Sequence, residues 1–179
     1  MVRPGGRSAR VQESVHTAVR ELEAEVGRDA LTVPLVAQRA GVTPSTIYRR
    51  WGDLQELLSD VAVERLRPAT APEEYGDLPS DLAAWAEQFL DEMASPAGRA
   101  YIRDALLGGP EGNNAGRCSA YAADQIDVIL ARAADRGEDA PDVETIVDRV
   151  VAPLMYRILF RPAGLDAAYA RDLAAKLTR

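Results

Sequence analysis

The side chains best suited to chemistry lie in one short segment, Thr43 to Arg50, whose sequence is TPSTIYRR. Its hydroxyls can donate to or accept from several base edges, and small side chains let a helix approach those bases closely. Tyr48 and the two arginines supply a phenol and two guanidiniums, which suit phosphate oxygens. The segment therefore predicts contacts to a DNA duplex, with bases addressed at its start and the backbone at its end.

The charge distribution supports this prediction although the whole chain is acidic, with a formal net charge of −7. Residues 1–67 hold 10 basic and 9 acidic side chains, whereas residues 68–179 hold 11 basic and 19 acidic ones. The stretch 30–52 contains three arginines and no acid. A local cationic surface can therefore attract phosphates inside an acidic protein.

Helical periodicity positions these side chains, and the sequence shows no strand alternation. The apolar spacing predicts a first helix over about residues 8–26, a short helix capped by Thr32, and a third helix that starts at Thr43 with Pro44 in its first turn. Only Gly41 and Val42 separate the second and third helices, which is the short turn of a helix-turn-helix unit. In such a unit the second helix lies in the major groove while the first crosses the backbone.

A fourth helix is predicted to open at Asp53, with Glu56 three residues later at capping-box spacing. Residues 68–79 carry three prolines and no apolar period, so they are the predicted domain boundary. We therefore expect an all-α protein. Residues 1–67 form a three-helix helix-turn-helix DNA-binding domain, which helix four joins to a larger helical domain, residues 68–179.

The second domain is predicted to contain five helices. Their expected starts are Ser80, Ser95, about Arg117, about Asp142 and Asp166, with loops over residues 108–116 and 136–141. Pro153 falls inside the fourth of these helices, so we expect a kink there or a free carbonyl about one turn earlier.

The segment 31–58, LTVPLVAQRAGVTPSTIYRRWGDLQELL, resembles the signature of the TetR family of transcriptional regulators. The matching positions are Ala40, Gly41, Val42, Thr43, Tyr48, Trp51, Leu57 and Leu58. The resemblance is specific over about residues 8–66 and generic beyond them. It implies a homodimer that binds a palindromic double-stranded DNA operator and is released from it by a small-molecule effector.

The predicted DNA contacts are Thr32, Arg39, Thr43, Pro44, Ser45, Thr46, Tyr48, Arg49 and Arg50. In the family, the start of the third helix reads bases and the Tyr48 position holds a phosphate, whereas Trp51 is expected in the core. Relatives often have a lysine where this chain has Leu54, and we expect Arg50 to replace that cation. Arg3 and Arg7 either follow the DNA as an arm or are simply solvated.

The resemblance also implies an effector pocket and a dimer interface in the second domain. Side chains that could line an apolar pocket with a few polar groups are Trp85, Phe89, Met93, Tyr101, Tyr121, Gln125 and Met155. The apolar residues of the last two helices predict a four-helix interface formed by Val147, Val151, Leu154, Ile158, Tyr169, Leu173 and Leu177. The alternatives are ordinary core positions for the pocket residues and a helix buried within the protomer.

Nothing in the sequence points to catalysis. His16 and Cys118 are a hundred residues apart, and no nucleophile elbow, phosphate loop or metal-ligand spacing is present. We therefore expect no enzyme activity, cofactor or metal, and a cytoplasmic protein without a membrane segment. Two other functions stay open: a helical protein-interaction module with the same fold, and a ligand-independent regulator.

Overall fold

The computed structural model describes residues 6–109 and 114–177, and in that part of the chain it contains helices and no strand. The N-terminal helices are α1 (Arg7–Val26), α2 (Val33–Ala40), α3 (Pro44–Trp51) and α4 (Leu54–Arg65). A single 3₁₀ turn, Arg28–Ala30, links α1 to the segment before α2. The predicted all-α fold is confirmed.

After a connection without helix over residues 66–77, the described part of the chain contains six further helices. They are α5 (Leu78–Ala94), α6 (Pro96–Leu107), α7 (Asn114–Asp135), α8 (Val143–Ile146), α9 (Ala152–Phe160) and α10 (Ala167–Ala175). Two predicted starts in this part are wrong. Asp77 rather than Ser80 caps α5, because its carboxylate accepts from the Ser80 N–H at 2.8 Å, and α7 begins before Arg117. Part of the predicted loop 108–116 lies outside the described residues.

The helix that contains Pro153 changes its hydrogen-bond pattern just before the proline. α8 continues into α9 through a π-helical turn, Val147–Val151, in which the Ala152 N–H donates to the Val147 carbonyl five residues back. Proline has no N–H for the α-helical pattern, and a π turn shifts the pairing by one residue. The disturbance predicted one turn before Pro153 therefore takes the form of a π turn.

The described chain falls into two compact units, and the first holds α1 to α4 together with residues between Asp104 and Asn114. Its core joins the apolar stripe of α1 to residues of the three following helices: Val15, Val19, Leu22, Val36, Ile47, Trp51, Leu57, Leu58 and Val61. Burial of one such side chain contributes about 1.5–3 kcal/mol. The core therefore fixes the orientation of the short helices α2 and α3, which are too short to be stable alone.

The end of α6 is part of the first unit, which the sequence did not indicate. Asp104 accepts from Arg28 through both carboxylate oxygens, at 3.1 Å from Nε and 2.5 Å from Nη2. The Ser59 hydroxyl of α4 donates to the Ala105 carbonyl at 3.1 Å. A Cβ on Gly108 would lie 2.3 Å from the Ser59 oxygen, so this close approach requires glycine.

The second unit contains residues 66–103 and the described residues from 115 onward. Its buried apolar side chains come from α5, α7, α8, α9 and α10: Leu82, Trp85, Leu90, Ile126, Ile129, Ile146, Leu154, Ile158, Ala170 and Ala174. Arg136 follows α7 and bonds to Asp81 of α5 at 3.0 Å, to Glu74 at 3.1 Å and to Glu138. This ion network joins the start of α5 and the residues before it to the end of α7.

Candidate nucleic-acid interface

The turn between α2 and α3 is tight because of a left-handed glycine. Gly41 has a φ of 68°, and its N–H donates to carbonyls in the last turn of α2. The following N–H, of Val42, donates to the Ala37 carbonyl at 3.0 Å. This is the glycine-terminated helix end that reverses the chain within two residues. It sets α3 directly after α2, as the helix-turn-helix prediction requires.

The start of α3 gathers three hydroxyls beside exposed backbone. The Thr43 Oγ1 lies 2.9 Å from the Ser45 Oγ and 3.0 Å from the Thr46 Oγ1, and the neighbouring Pro44 is exposed. The Thr43 side chain makes no capping bond to the helix, so it is available to order the other two hydroxyls. Hydroxyls of this kind, next to the N–H groups of a helix start, can serve base edges or a phosphate.

The other predicted contact at a helix start is Thr32, which precedes α2. Its hydroxyl accepts from the Leu35 N–H at 3.3 Å, so it is the predicted N-cap. The residue is exposed, and the hydroxyl hydrogen can still donate outward.

The end of α3 carries the predicted backbone contacts. Tyr48 is 49% exposed, and Arg49 is exposed without a hydrogen-bond or ion-pair partner among the described residues. Arg50, in contrast, donates from Nη1 to the Ser8 carbonyl and hydroxyl and from Nη2 to the Gln12 side chain. The structure therefore gives the two adjacent arginines different surroundings.

Arg39 is exposed, but its guanidinium is also bound by other side chains of the first unit. Its guanidinium donates to Glu25 at 2.6 and 2.8 Å and to Glu21 at 3.2 Å, both on α1. These bonds, the one to Glu25 first, raise the pKa of Arg39 further above its ordinary value, and the same contact lowers the pKa of Glu25. Arg39 therefore has carboxylate partners on α1, which the acid-free stretch of sequence around it did not show.

Trp51, the last residue of α3, and Leu54, the first residue of α4, both face the core of the first unit. Trp51 is 8% exposed and belongs to the core of the first unit, as predicted, and Leu54 packs against that core. Leu54 is therefore a packing residue at the position where relatives often have a lysine. The sequence did not single out Asp60, which accepts a hydrogen bond from the Trp51 indole at 2.9 Å.

In the second unit, the predicted pocket residues are spread over buried and half-buried positions. Trp85 and Phe89 pair with ring centroids 5.4 Å apart, and the Gln125 amide donates to the Thr70 carbonyl at 2.8 Å. Met93 is buried, whereas Tyr101, Tyr121 and Met155 are half-buried. A groove of about 300 Å³ beside Trp85 is lined by Glu73, Tyr75, Ala84, Gln88, Asp91 and Glu92. Trp85 is the one predicted pocket residue in this lining.

The predicted interface residues divide into two groups. Leu154 and Ile158 are 0% and 2% exposed, so the core of the protomer already uses them. The others are half-buried: Val147, Val151, Tyr169, Leu173 and Leu177. The large exposed side chains of α9 are instead Tyr156, Leu159 and Phe160, the last 69% exposed. The apolar periodicity predicted the helix, but it could not show which of its side chains are buried by the rest of the same chain.

The described residues offer no group of three or more His, Cys, Asp or Glu side chains arranged to hold a metal ion. Among the described helices, none has the length and apolarity needed to cross a membrane. Burial raises the pKa of the Cys118 thiol, which disfavours the thiolate. His16 is buried against Asp60 in the first unit.

Comparisons with known proteins give matches over both units. Residues 16–61 match the family "Bacterial regulatory proteins, tetR family", and residues 72–177 match "Tetracyclin repressor-like, C-terminal domain". The HTH-type transcriptional regulator YdeS of Bacillus subtilis strain 168 is 24% identical over 93% of this chain and 87% of its own. AqdR of Rhodococcus erythropolis, also an HTH-type regulator, is 32% identical over 54% of this chain and 47% of its own.

Solved structures share the same fold over nearly the whole chain. The TetR family transcription regulator SCO0332 has a TM-score of 0.69 at 26% identity, covering 94% of this chain and 97% of that one. FadR of Thermus thermophilus, a TetR-family repressor solved in complex with lauroyl-CoA, has a TM-score of 0.63 at 20% identity, covering 93% and 92%.

Proposed function

We propose that this chain, which belongs to the TetR family of transcriptional regulators, is a homodimeric repressor released from a palindromic operator by a small-molecule effector. DNA-binding regulation follows from the family. The dimer, the direction of regulation and the effector are the proposal. The observation that supports the proposal most is the exposed face of α3. Hydroxyl side chains lie at the start of this helix, an unpaired guanidinium lies at its end, and the helix contains no acidic residue.

The DNA contacts are assigned by position on the first unit. Thr43, Pro44, Ser45 and Thr46 face base edges in the major groove, and Tyr48, Arg49 and Arg50 meet phosphates at the end of α3. Thr32 meets the backbone from the start of α2. Arg39 is left out of this set, because its guanidinium is bonded to carboxylates of α1.

A second copy of the chain is the proposed partner of α9 and α10. Tyr156 and Phe160 form an exposed aromatic pair with ring centroids 5.3 Å apart, and Leu159 lies beside them. A patch of this kind on a soluble protein favours association. A two-fold dimer would also present two α3 helices to two half-sites about one DNA turn apart. Phe160→Glu should therefore shift the chain toward monomer in analytical ultracentrifugation.

The proposed effector site lies in the second unit, around the paired rings of Trp85 and Phe89. FadR of Thermus thermophilus, which shares this fold and was solved in complex with lauroyl-CoA, supports the proposal that this chain takes a ligand. An effector acts by binding more tightly to the conformation with low DNA affinity, and it shifts the population by no more than that difference.

Sequencing of duplexes selected by the purified chain from a random pool tests the central proposal. A recurrent palindrome is expected, with binding that weakens steeply as salt increases because phosphate contacts release counterions. Ser45→Ala should change the preferred base at one position of each half-site with a nearly unchanged salt slope. Selection that enriches no sequence over random duplex would refute the specific regulator.

A further inference from the structure

A buried carboxylate of α4 lies within hydrogen-bond distance of side chains from both α1 and α3. Asp60 of α4 is 9% exposed, and its Oδ2 accepts from the Trp51 indole at 2.9 Å and from the Gln12 amide at 3.3 Å. The His16 Nε2 lies 3.0 Å from the same oxygen, within hydrogen-bond distance. Asp60 therefore fastens α1, α3 and α4 at one point.

Gln12 extends this cluster to the surface of the first unit. Its amide nitrogen donates to Asp60, and its amide oxygen accepts from the Nη2 of Arg50. The Nη1 of Arg50 donates to the Ser8 carbonyl at 2.9 Å and to the Ser8 hydroxyl at 2.8 Å. The guanidinium carbon lies 5.1 Å from the Trp51 ring centroid, within the range of a cation–π contact. The guanidinium is therefore fixed by α1 on its edge and by Trp51 on its face.

These contacts hold Arg50 without using all of its donors. A guanidinium has five N–H groups, and the described contacts occupy three of them. The Nε–H and the second Nη2–H stay available, on a residue that is exposed at the end of α3. Arg49, one residue earlier, has no such support.

We propose that Asp60 and Gln12 are positioning residues for operator binding, which together hold the Arg50 guanidinium ready for a backbone phosphate. The inference rests on the proposed DNA-binding function of α3. A long side chain that must be ordered during binding lowers the affinity by roughly two- to ten-fold. Because the cluster already orders the Arg50 side chain in the free protein, this loss of affinity is avoided. Asp60 orients the Gln12 amide so that its oxygen faces the arginine.

The test is a double-mutant cycle on the full chain, with the selected operator duplex titrated at several salt concentrations. Gln12→Met keeps the shape of the side chain but removes both hydrogen bonds, and it should weaken binding roughly two- to ten-fold with an unchanged salt slope. Arg50→Ala should reduce the salt slope by about the amount that one phosphate contact contributes. In the Arg50→Ala background, Gln12→Met should have no further effect. Ala131→Met, at an exposed position of α7 in the second unit, is the control for a new methionine and should bind as the wild type does.

Each alternative gives a different result. If Gln12→Met weakens binding equally with and without Arg50, its effect does not pass through the guanidinium and the inference is overturned. If the wild type prefers its operator but Arg50→Ala leaves the slope unchanged, the inference fails while the proposed function stands. Failure of the proposed function is distinct, because no selected duplex would then bind better than random DNA.

Asp60 is tested separately with Asp60→Asn, assayed at temperatures where unfolding curves show the variant to be fully folded. The amide presents N–H groups to neighbours that are themselves donors, so operator affinity should fall with an unchanged salt slope. Wild-type affinity in a folded Asp60→Asn protein would exclude Asp60 as a positioning residue. If Asp60→Asn does not fold, Trp51→Phe replaces it, since this change removes the indole donor and keeps a ring under Arg50.

Discussion

The arginines of the two units have different roles, although the sequence shows them as the same residue. In the second unit, Arg136 bonds to Glu74, Asp81 and Glu138, so its charge is used within the protomer. In the first unit, Arg49 stands exposed at the end of α3 without a partner among the described residues. A cation is available to DNA only where the fold brings no carboxylate to it, so the position of each charge matters more than their sum.

The largest effect is expected from breaking the internal network of the second unit. Asp81 is 0% exposed and accepts from Arg136 and from the Tyr75 N–H, so Asp81→Ala leaves this N–H without its acceptor and removes one of the three carboxylates that bind Arg136. The free energy of unfolding should fall by about 3–5 kcal/mol, measured by denaturant titration. Asp139→Ala, at an exposed position, is the control and should change it by less than about 0.5 kcal/mol. Equal values for the two variants would show that the network adds nothing to stability.

Arg28 of the first unit is also paired, with a buried carboxylate, and it sharpens the comparison. Asp104 is buried and receives two bonds from Arg28, which is itself about one third exposed. Asp104→Asn should lower the free energy of unfolding by about 1–3 kcal/mol, less than Asp81→Ala because Arg28 can regain water. Asp29→Asn in the adjacent exposed turn is the control for loss of one acid. Thermal unfolding that does not distinguish the two variants would contradict this prediction.

The comparison of free and paired arginines can be tested directly within the helix-turn-helix. Arg49→Ala should weaken binding to every duplex and lower the salt slope by about one. Arg39→Ala should leave the slope unchanged, because Glu25 and Glu21 already neutralise that guanidinium. Binding titrations over a salt series measure both. If Arg49→Ala and Arg39→Ala reduce the salt slope equally, the ion pairs of Arg39 must open when DNA binds. The proposed difference between the free and the paired arginine would then be wrong.

The smallest expected change in stability comes from Glu23, an acid near the Arg28–Asp104 ion pair. Burial, followed by the nearby Asp104 carboxylate, raises the pKa of Glu23 above its ordinary value of 4.5, despite opposing effects of Arg28 and Arg65. An acid whose pKa is raised in the folded state lowers the free energy of unfolding at neutral pH. This destabilisation disappears as the pH falls below the pKa of the same acid in the unfolded state. Glu23→Gln should therefore be the more stable protein at pH 7.

The Glu23→Gln difference should be less than about 1 kcal/mol, because Glu23 is only half-buried and solvent screens the interaction. Below about pH 4, where Glu23 is protonated in both states, wild type and variant should unfold together. Chemical denaturation from pH 4 to pH 7 measures the difference. A variant that is less stable than wild type at pH 7 would reverse the sign and refute the prediction.

The local features of this protein can be predicted from its amino-acid sequence. Caps and turn residues act on neighbours in the chain, so Thr32, Gly41 and Pro44 indicate the helix-turn-helix before any tertiary contact is known. The apolar spacing of α1 and the tryptophan at position 51 likewise predicted the core of the first unit. The same local rules failed for α5, where both Asp77 and Ser80 can cap a helix and only the folded chain shows which one does.

Which charged and apolar groups remain available depends on contacts between distant parts of the folded chain. Arg39 meets acids 14 and 18 residues away, and Arg50 meets α1 38 to 42 residues away, so no window of sequence could separate them from Arg49. For the same reason the core already uses Leu154 and leaves Phe160 exposed. Side-chain type is fixed by the sequence, whereas the partner of a side chain is fixed by packing between distant segments.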